Sequence, residues 1–108
     1  MTASIIDPAI VQIATANTEQ DLINNSGETR ELSLLIHIAN NGSSAANVQV
    51  WITNSSNTKL FPVLPETRIG AKAGLSNSTK LVLKAGNKIR ITASSTDVYA
   101  MICPVSGV

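Results

Sequence analysis

The feature that most constrains the fold is a strict two-residue alternation near the carboxyl end of the chain. In residues 88–93 the apolar side chains of Ile89, Ile91 and Ala93 are separated by single polar residues. Successive side chains of an extended strand point to opposite faces, so this pattern predicts an antiparallel strand with one buried face and one solvent face. Turn-forming runs at 85–87 and 94–97 bound the strand on both sides.

The same alternation, with turn residues at intervals of about 8–12 residues, recurs along most of the chain. A chain of 108 residues forms one domain, and with only three aromatic residues its core must be aliphatic. We therefore predict an all-β protein, a single antiparallel β-sandwich, jelly-roll-like, of about seven or eight short strands. The expected strands are 9–16, 18–23, 30–39, 47–53, 59–63, 75–83 (as one strand or two), 88–93 and 98–102.

Several expectations concern how these strands connect. The dipeptide Asn41-Gly42 is a strong hairpin signal, so strands 30–39 and 47–53 are expected to be neighbours on one meander. Pro62 and Pro65 should confine strand 59–63 to an edge or end it early, and residues 64–74 have the irregular pattern of a long surface loop. Pro104 is expected to end pairing of the last strand.

The amino-terminal segment is expected to divide at residue 8, with 1–8 as a flexible arm and 9–108 as the β-sandwich domain. Asp7-Pro8 has the form of a helix start, but the following run is short and β-branched, which favours a strand over 9–16. The first ten residues contain no basic region before an apolar run, so we expect no secretion signal. No run reaches the roughly 18 apolar residues of a membrane span.

Charge and reactive residues exclude most chemistry. Formal net charge is +1 and the basic residues are scattered, so a nucleic-acid partner is not expected. Cys103 is the only cysteine and should be a small buried hydrophobe, while His37 is the only histidine and should face solvent. These counts allow no cysteine-based metal cluster and no blue-copper site, and no catalytic triad or carboxylate pair stands out. We predict no enzyme activity, no metal and no cofactor.

Trp51 and Tyr99 are the aromatic residues most open to a functional interpretation. Each lies on the outward side of its predicted strand. Trp51 either covers an edge or packs under the 64–74 loop, or it belongs to a subunit interface, or it stacks on a sugar. Leu35 also lies on an outward face, where an exposed leucine beside apolar neighbours would mark a subunit contact.

Two segments together resemble small virion proteins of tailed bacteriophages. They read DLINNSGETRELSLLIHIANNGSSAANVQVWIT and LVLKAGNKIRITASS, and with a short closing strand the resemblance covers most of residues 19–108. It implies a β-sandwich on the outside of the particle, as a capsid decoration (cement) protein, a head-fibre base, or a tail or baseplate part. It also implies a structural role and often trimers, and no binding residue carries over.

From these observations we expect a capsid decoration protein, made in the host cytoplasm, that binds the major capsid protein on the virion exterior as a homo-oligomer, with a trimer favoured. The alternative is a tail-fibre or baseplate domain with possible host-glycan contact, and the third choice is a carbohydrate-binding module. Glycan contact is not favoured, because three aromatic residues in the whole chain are few for it. The candidate partner contacts are Ile5, Ile6, Leu35, Trp51, Arg68 and Tyr99.

Overall fold

The computed structural model describes residues 9–25 and 27–106, the last three of them by their backbone. All regular structure in these residues is β-strand, and the predicted antiparallel sandwich is confirmed. The strands are β1 (Ala9–Gln12), β2 (Gln20–Asn24), β3 (Arg30–Asn40), β4 (Ala46–Thr53), β5 (Lys59–Ile69), β6 (Gly74–Leu83), β7 (Lys88–Ala93) and β8 (Val98–Ser106).

The strands form two four-stranded antiparallel sheets. Sheet A has the order β1-β8-β3-β6, and sheet B has the order β2-β7-β4-β5. The first strand therefore pairs with the last, the second with the seventh, the third with the sixth and the fourth with the fifth. The chain is one long hairpin rolled upon itself, and the pairings β3·β8 and β4·β7 complete the sheets. This is the jelly-roll arrangement.

The core lies between the two sheets and is aliphatic, as the composition predicts. Every second residue of the central strands points into it, in the phase that the alternation indicates. Each buried valine, leucine or isoleucine gains about 1.5–3 kcal/mol from burial, so the alternating apolar side chains stabilise the packing of the two sheets. The buried hydrophobic residues from the four central strands are Leu32, Leu34, Ile36, Ile38, Ala46, Val48, Val50, Ile52, Ile89, Ile91, Ala93, Val98, Ala100 and Ile102.

The prediction that strands β3 and β4 form a meander is wrong, because they belong to different sheets. The loop between them crosses the sandwich, and the buried side chain of Asn40 fixes its path. The side-chain Nδ2 of Asn40 donates to the backbone carbonyl oxygens of Ser44 at 2.8 Å and of Ile69 at 3.2 Å. Its Oδ1 accepts from the backbone nitrogen of Gly42 at 3.0 Å. Asn41-Gly42 thus lies in a crossing between sheets, and the local signal for a tight hairpin was misleading.

The expected 64–74 loop is also wrong. Strand β5 continues past Pro62 and Pro65 to Ile69, and a short turn then leads into β6. Because β5 lies at the edge of sheet B and pairs only with β4, one side of its backbone needs no hydrogen-bond donors. The edge position predicted from Pro62 is therefore right, while the early end is not.

The first and last strands, β1 and β8, end at residues other than those predicted. Strand β1 ends at Gln12 and not at residue 16, because the chain turns away from β8 through Asn17, which has a positive φ of 59°. Strand β8 does not end at Pro104, since its backbone register with β3 runs on to the pair Leu32 and Ser106. The predicted arm, residues 1–8, lies outside the described residues.

Candidate interaction surface

The outward side of sheet A carries a continuous group of exposed apolar side chains. The exposed fractions are 72% for Ile10, 44% for Leu35, 39% for Tyr99 and 44% for Met101. Together with Cys103, which is partly exposed on the same side of β8, these residues are called the apolar face. Each lies on the outward side because a residue next to it in its strand points into the core.

Strand register places the apolar face in adjacent rows. Met101 lies opposite Ile10 on β1 and opposite His37 on β3. Cys103 lies opposite Leu35 in the next row, and Tyr99 lies in the row on the other side of Met101. Side chains directly opposite each other in an antiparallel pair have Cβ atoms about 4.5–5.5 Å apart, so these rows form one surface across three strands.

His37 and Ser76 form the border of this surface on β3 and β6. His37 Nδ1 and Ser76 Oγ are 2.6 Å apart, within hydrogen-bonding distance. A β-carbon at Gly74 would lie 3.3 Å from His37 Nε2, so the imidazole packs closely over Gly74. Within the described residues, no carboxylate hydrogen-bonds to His37. The rows through Tyr99, Met101 and Cys103 contain no lysine, arginine or carboxylate among the described residues.

The outward side of sheet B has a different character, because charged side chains pair with one another across it. Arg90 on β7 donates from Nε to Asp21 Oδ1 at 2.8 Å and from Nη1 to Glu19 Oε1 at 2.9 Å. Lys59 and Lys88 extend the group, with Lys59 Nζ 3.5 Å from Glu19 Oε2 and Lys88 Nζ 4.0 Å from Asp21 Oδ2. These five residues are called the ion-pair network.

Trp51 lies beside the ion-pair network and is partly buried. Its Nε1 donates to Gln49 Oε1 at 2.7 Å, and Lys59 Nζ stands 5.2 Å from the ring centroid. Across the sheet it faces Arg90 on one side and Pro62 on the other. The expectation that Trp51 packs under a 64–74 loop is wrong, since those residues belong to β5. The ammonium group of Lys59 therefore lies over one face of the indole ring.

The predicted contact residues separate into two groups. Leu35 and Tyr99 lie together on the apolar face, whereas Trp51 and Arg68 lie on the outward side of sheet B. Arg68 is exposed on β5 opposite Asn47. The remaining two candidates, Ile5 and Ile6, lie outside the described residues.

Three members of the apolar face were not identified from the sequence. Ile10 and Met101 occupy outward positions between inward-pointing neighbours, so alternation was the available signal. Cys103 was expected to be buried, and this is wrong because it follows the inward-pointing Ile102 and therefore points outward. Only the pairing of β1 with β8 and of β8 with β3 brings these side chains together.

Within residues 9–25 and 27–106, His, Cys, Asp and Glu side chains form no group of three or more arranged to hold a metal ion. The same residues include no helix with the length and apolar character that crossing a bilayer requires.

No protein-family model matches the chain, and no curated protein matches it. Among solved structures, it is similar to a chain of infectious bursal virus derived T=1 particles, at 9% identity and a TM-score of 0.49, over 99% of this chain and 31% of that one. It is also similar to a chain of the T13 IBDV viral particle, at 13% identity and a TM-score of 0.39, over 98% of this chain and 33% of that one. The protein thus spans about a third of the length of those particle chains.

Proposed function

We propose that this protein is a structural virion protein of a tailed bacteriophage that decorates the outside of the assembled shell, and that the apolar face is its contact with the major capsid protein. The observation that carries the proposal is the exposure of Ile10, Leu35 and Met101 side by side on one face of a sheet. Contiguous exposed apolar surface is uncommon on monomeric soluble proteins and marks sites of association.

The physical character of the surface suits such a role. Apolar contact is non-directional and needs no catalytic or metal-binding group. A decoration protein repeats one contact at many equivalent places, and linked copies gain avidity, so a modest affinity for each copy is sufficient. A net charge of +1 adds little repulsion between neighbouring copies. We favour a trimer, made in the host cytoplasm and bound on the shell exterior.

Binding to purified shells that lack the protein tests this function. We expect saturable co-sedimentation at a fixed ratio to the capsid protein, and a higher temperature for release of the shell contents. Light scattering should give the mass of a trimer, about three times the chain mass of 11.3 kDa, either for the free protein or for protein that has been released from shells. Shells that neither bind the protein nor gain heat resistance would contradict the proposal.

The alternative role, in a tail fibre or baseplate with host-glycan contact, has weaker support. The Trp51 ring is covered on one side by Lys59, and its Nε1 is already hydrogen-bonded. Tyr99 is the more accessible aromatic side chain, with 39% of its surface exposed. A carbohydrate-binding module has the least support, since it would depend on Tyr99 with little help from Trp51. Saturable binding of host surface polysaccharide, abolished by Tyr99→Ala, would favour a glycan-binding role over decoration.

A further inference from the structure

The two sheets separate at one corner of the sandwich, between β5 and β6. A groove of about 400 Å³ opens there, and most of its lining is apolar, from residues that include Leu60, Phe61, Leu81 and Val82. The exposed fractions are 52% for Leu60, 61% for Phe61 and 51% for Val82. This concentration of exposed apolar side chains lies apart from the apolar face, at the open edges of the two sheets.

Phe61 shows that the sandwich is incomplete at this corner. It lies directly opposite Ile52 in the β4·β5 pair, and Ile52 is only 7% exposed because it points into the core. Opposite residues in a sheet point to the same side, so Phe61 also points to the inner side of sheet B. An inward-pointing phenylalanine that remains 61% exposed has no opposing strand to cover it.

The backbone edge that borders the groove is open to pairing. Strand β6 pairs with β3 over ten residues without a register shift, and its other edge has no strand partner among the described residues. Sheet edges are commonly protected by proline, bulges, short length or charge. The edge strand β5 contains two prolines, and β1 and β2 have four and five residues. Strand β6 has neither proline nor bulge, and Lys80 is its single charged residue.

The residues that line the groove carry positive charge, and the nearest carboxylate along the strand register is that of exposed Glu31 on β3, opposite Val82. Lys80 and Lys84 both line the groove, and no carboxylate is among its lining residues. Neither lysine forms an ion pair with another described residue. A second copy of the chain would bring the same two lysines to a symmetric β6-to-β6 contact, which disfavours self-association here. A segment that carries carboxylates would complement them.

We propose that the groove and the free edge of β6 bind an extended acidic segment of another protein as an added strand of sheet A. The backbone of this segment pairs with β6. Its apolar side chains lie on the inner side, where they cover Phe61 and Leu81, and its carboxylates lie on the outer side with Lys80 and Lys84. Main-chain hydrogen bonds supply affinity in such strand addition, and the side-chain pockets supply specificity. The site is separate from the apolar face and does not depend on the proposed decoration role.

A synthetic peptide of alternating valine and aspartate, matched to β6 in length and fluorescently labelled, tests the proposal. Anisotropy titration with the full chain should show saturable binding, at least about tenfold tighter than that of a peptide alternating valine and lysine. Backbone amide exchange in β6 should slow on binding. Equal affinity for the two peptides, absence of binding, or binding without slower exchange in β6 would each overturn the proposal.

Matched variants locate the site. Lys80→Glu should abolish the preference between the two peptides, because the new carboxylate offsets the charge of Lys84. Arg68→Glu makes the same charge change on exposed β5, outside the groove lining, and should preserve the preference. Phe61→Ser should weaken binding of the acidic peptide, and since Phe61 is mostly exposed the variant should stay folded. If Phe61→Ser instead lowers the mass of the free protein in light scattering, the groove holds a second copy and the proposal fails.

Discussion

The outward sides of the two sheets are built by the same alternation and have opposite chemistry. On sheet B, Arg90 joins Glu19 and Asp21 in hydrogen-bonded ion pairs, and every charge in the network has a partner in the same chain. On sheet A, the apolar side chains of Met101 and Leu35 are each 44% exposed. The difference teaches that strand geometry decides which residues face outward, while the residue types at those positions decide whether a face meets water or another molecule.

From this contrast we infer that the outward side of sheet B stabilises the folded chain and that the outward side of sheet A binds a partner. The ion-pair network contributes to the stability of the folded chain and presents little that a partner needs to cover. The apolar face leaves methyl and thioether groups in water, at a cost that burial against a partner would remove at about 25 cal/mol per Å². We therefore expect substitutions on sheet A to change association and substitutions in the network to change stability.

Met101→Lys should give the largest effect, because it places a charge at the centre of the apolar face between Ile10 and His37. We expect binding to shells to weaken by about 100-fold, or about 3 kcal/mol. Since Met101 is 44% exposed, folding should be unaffected. Co-sedimentation with shells measures the change.

Asn47→Lys is the matched control for that experiment. Asn47 is exposed on β4, on the outward side of sheet B, so the same charge enters the opposite face of the sandwich. Shell binding should stay near that of the unchanged chain. Equal losses from the two variants would mean that the apolar face has no special part in association.

Arg90→Met should give the next largest effect, on stability and not on association. It removes the guanidinium that binds Glu19 and Asp21 while keeping an apolar stem over the sheet. Hydrogen bonds to charged groups contribute about 1.5–3 kcal/mol, and partial exposure reduces this, so we expect a loss of about 2 kcal/mol in the free energy of unfolding. Urea unfolding measures it, with Arg68→Met as an exposed control that should change stability by less than about 0.5 kcal/mol.

The sequence was sufficient to predict the class of fold and the direction in which most strand residues point. Alternation is a local signal, and it correctly placed Leu35 and Tyr99 outward and Ile36 and Ile102 inward. Strand partners are not local. Ile10 meets Met101 because the first strand pairs with the last, and nothing in either segment alone indicates that pairing.

The errors have the same origin. The hairpin signal at Asn41-Gly42 failed because the neighbouring Asn40 side chain bonds to carbonyls of distant residues and directs the chain to the other sheet. The irregular pattern of residues 64–74 predicts a loop, and Pro62 and Pro65 predict an edge strand or an early end, yet an edge position tolerates both prolines and the strand runs on to Ile69. Edge position depends on the order of strands, which the alternation does not contain. The groove beside Phe61 was missed for that reason too.

Raising the salt concentration should have a smaller effect, and it should change the stability contribution of the ion-pair network more than the binding of the apolar face to shells. Screening shortens the reach of exposed charges to about 3 Å at 1 M salt, so the stability difference between the unchanged chain and Arg90→Met should shrink by less than about 1 kcal/mol. Binding to shells should hold or strengthen, since apolar burial is not screened. Urea unfolding and co-sedimentation at low and high salt measure the two effects. Shell binding that falls steeply with salt would assign association to charged residues instead.

Binding to shells should leave Trp51 fluorescence unchanged, which is the smallest of the expected effects. As the single tryptophan, it reports on the outward side of sheet B, where Gln49 and Lys59 hold the ring. If shells bind the apolar face of sheet A, the emission maximum should stay constant through a titration that co-sedimentation shows to reach saturation. Lys59→Met is the positive control, because removing the ammonium from above the indole should itself alter the emission. A shift in emission that follows shell binding would place the contact on sheet B, and it would then be the ion-pair network, not the apolar face, that meets the shell.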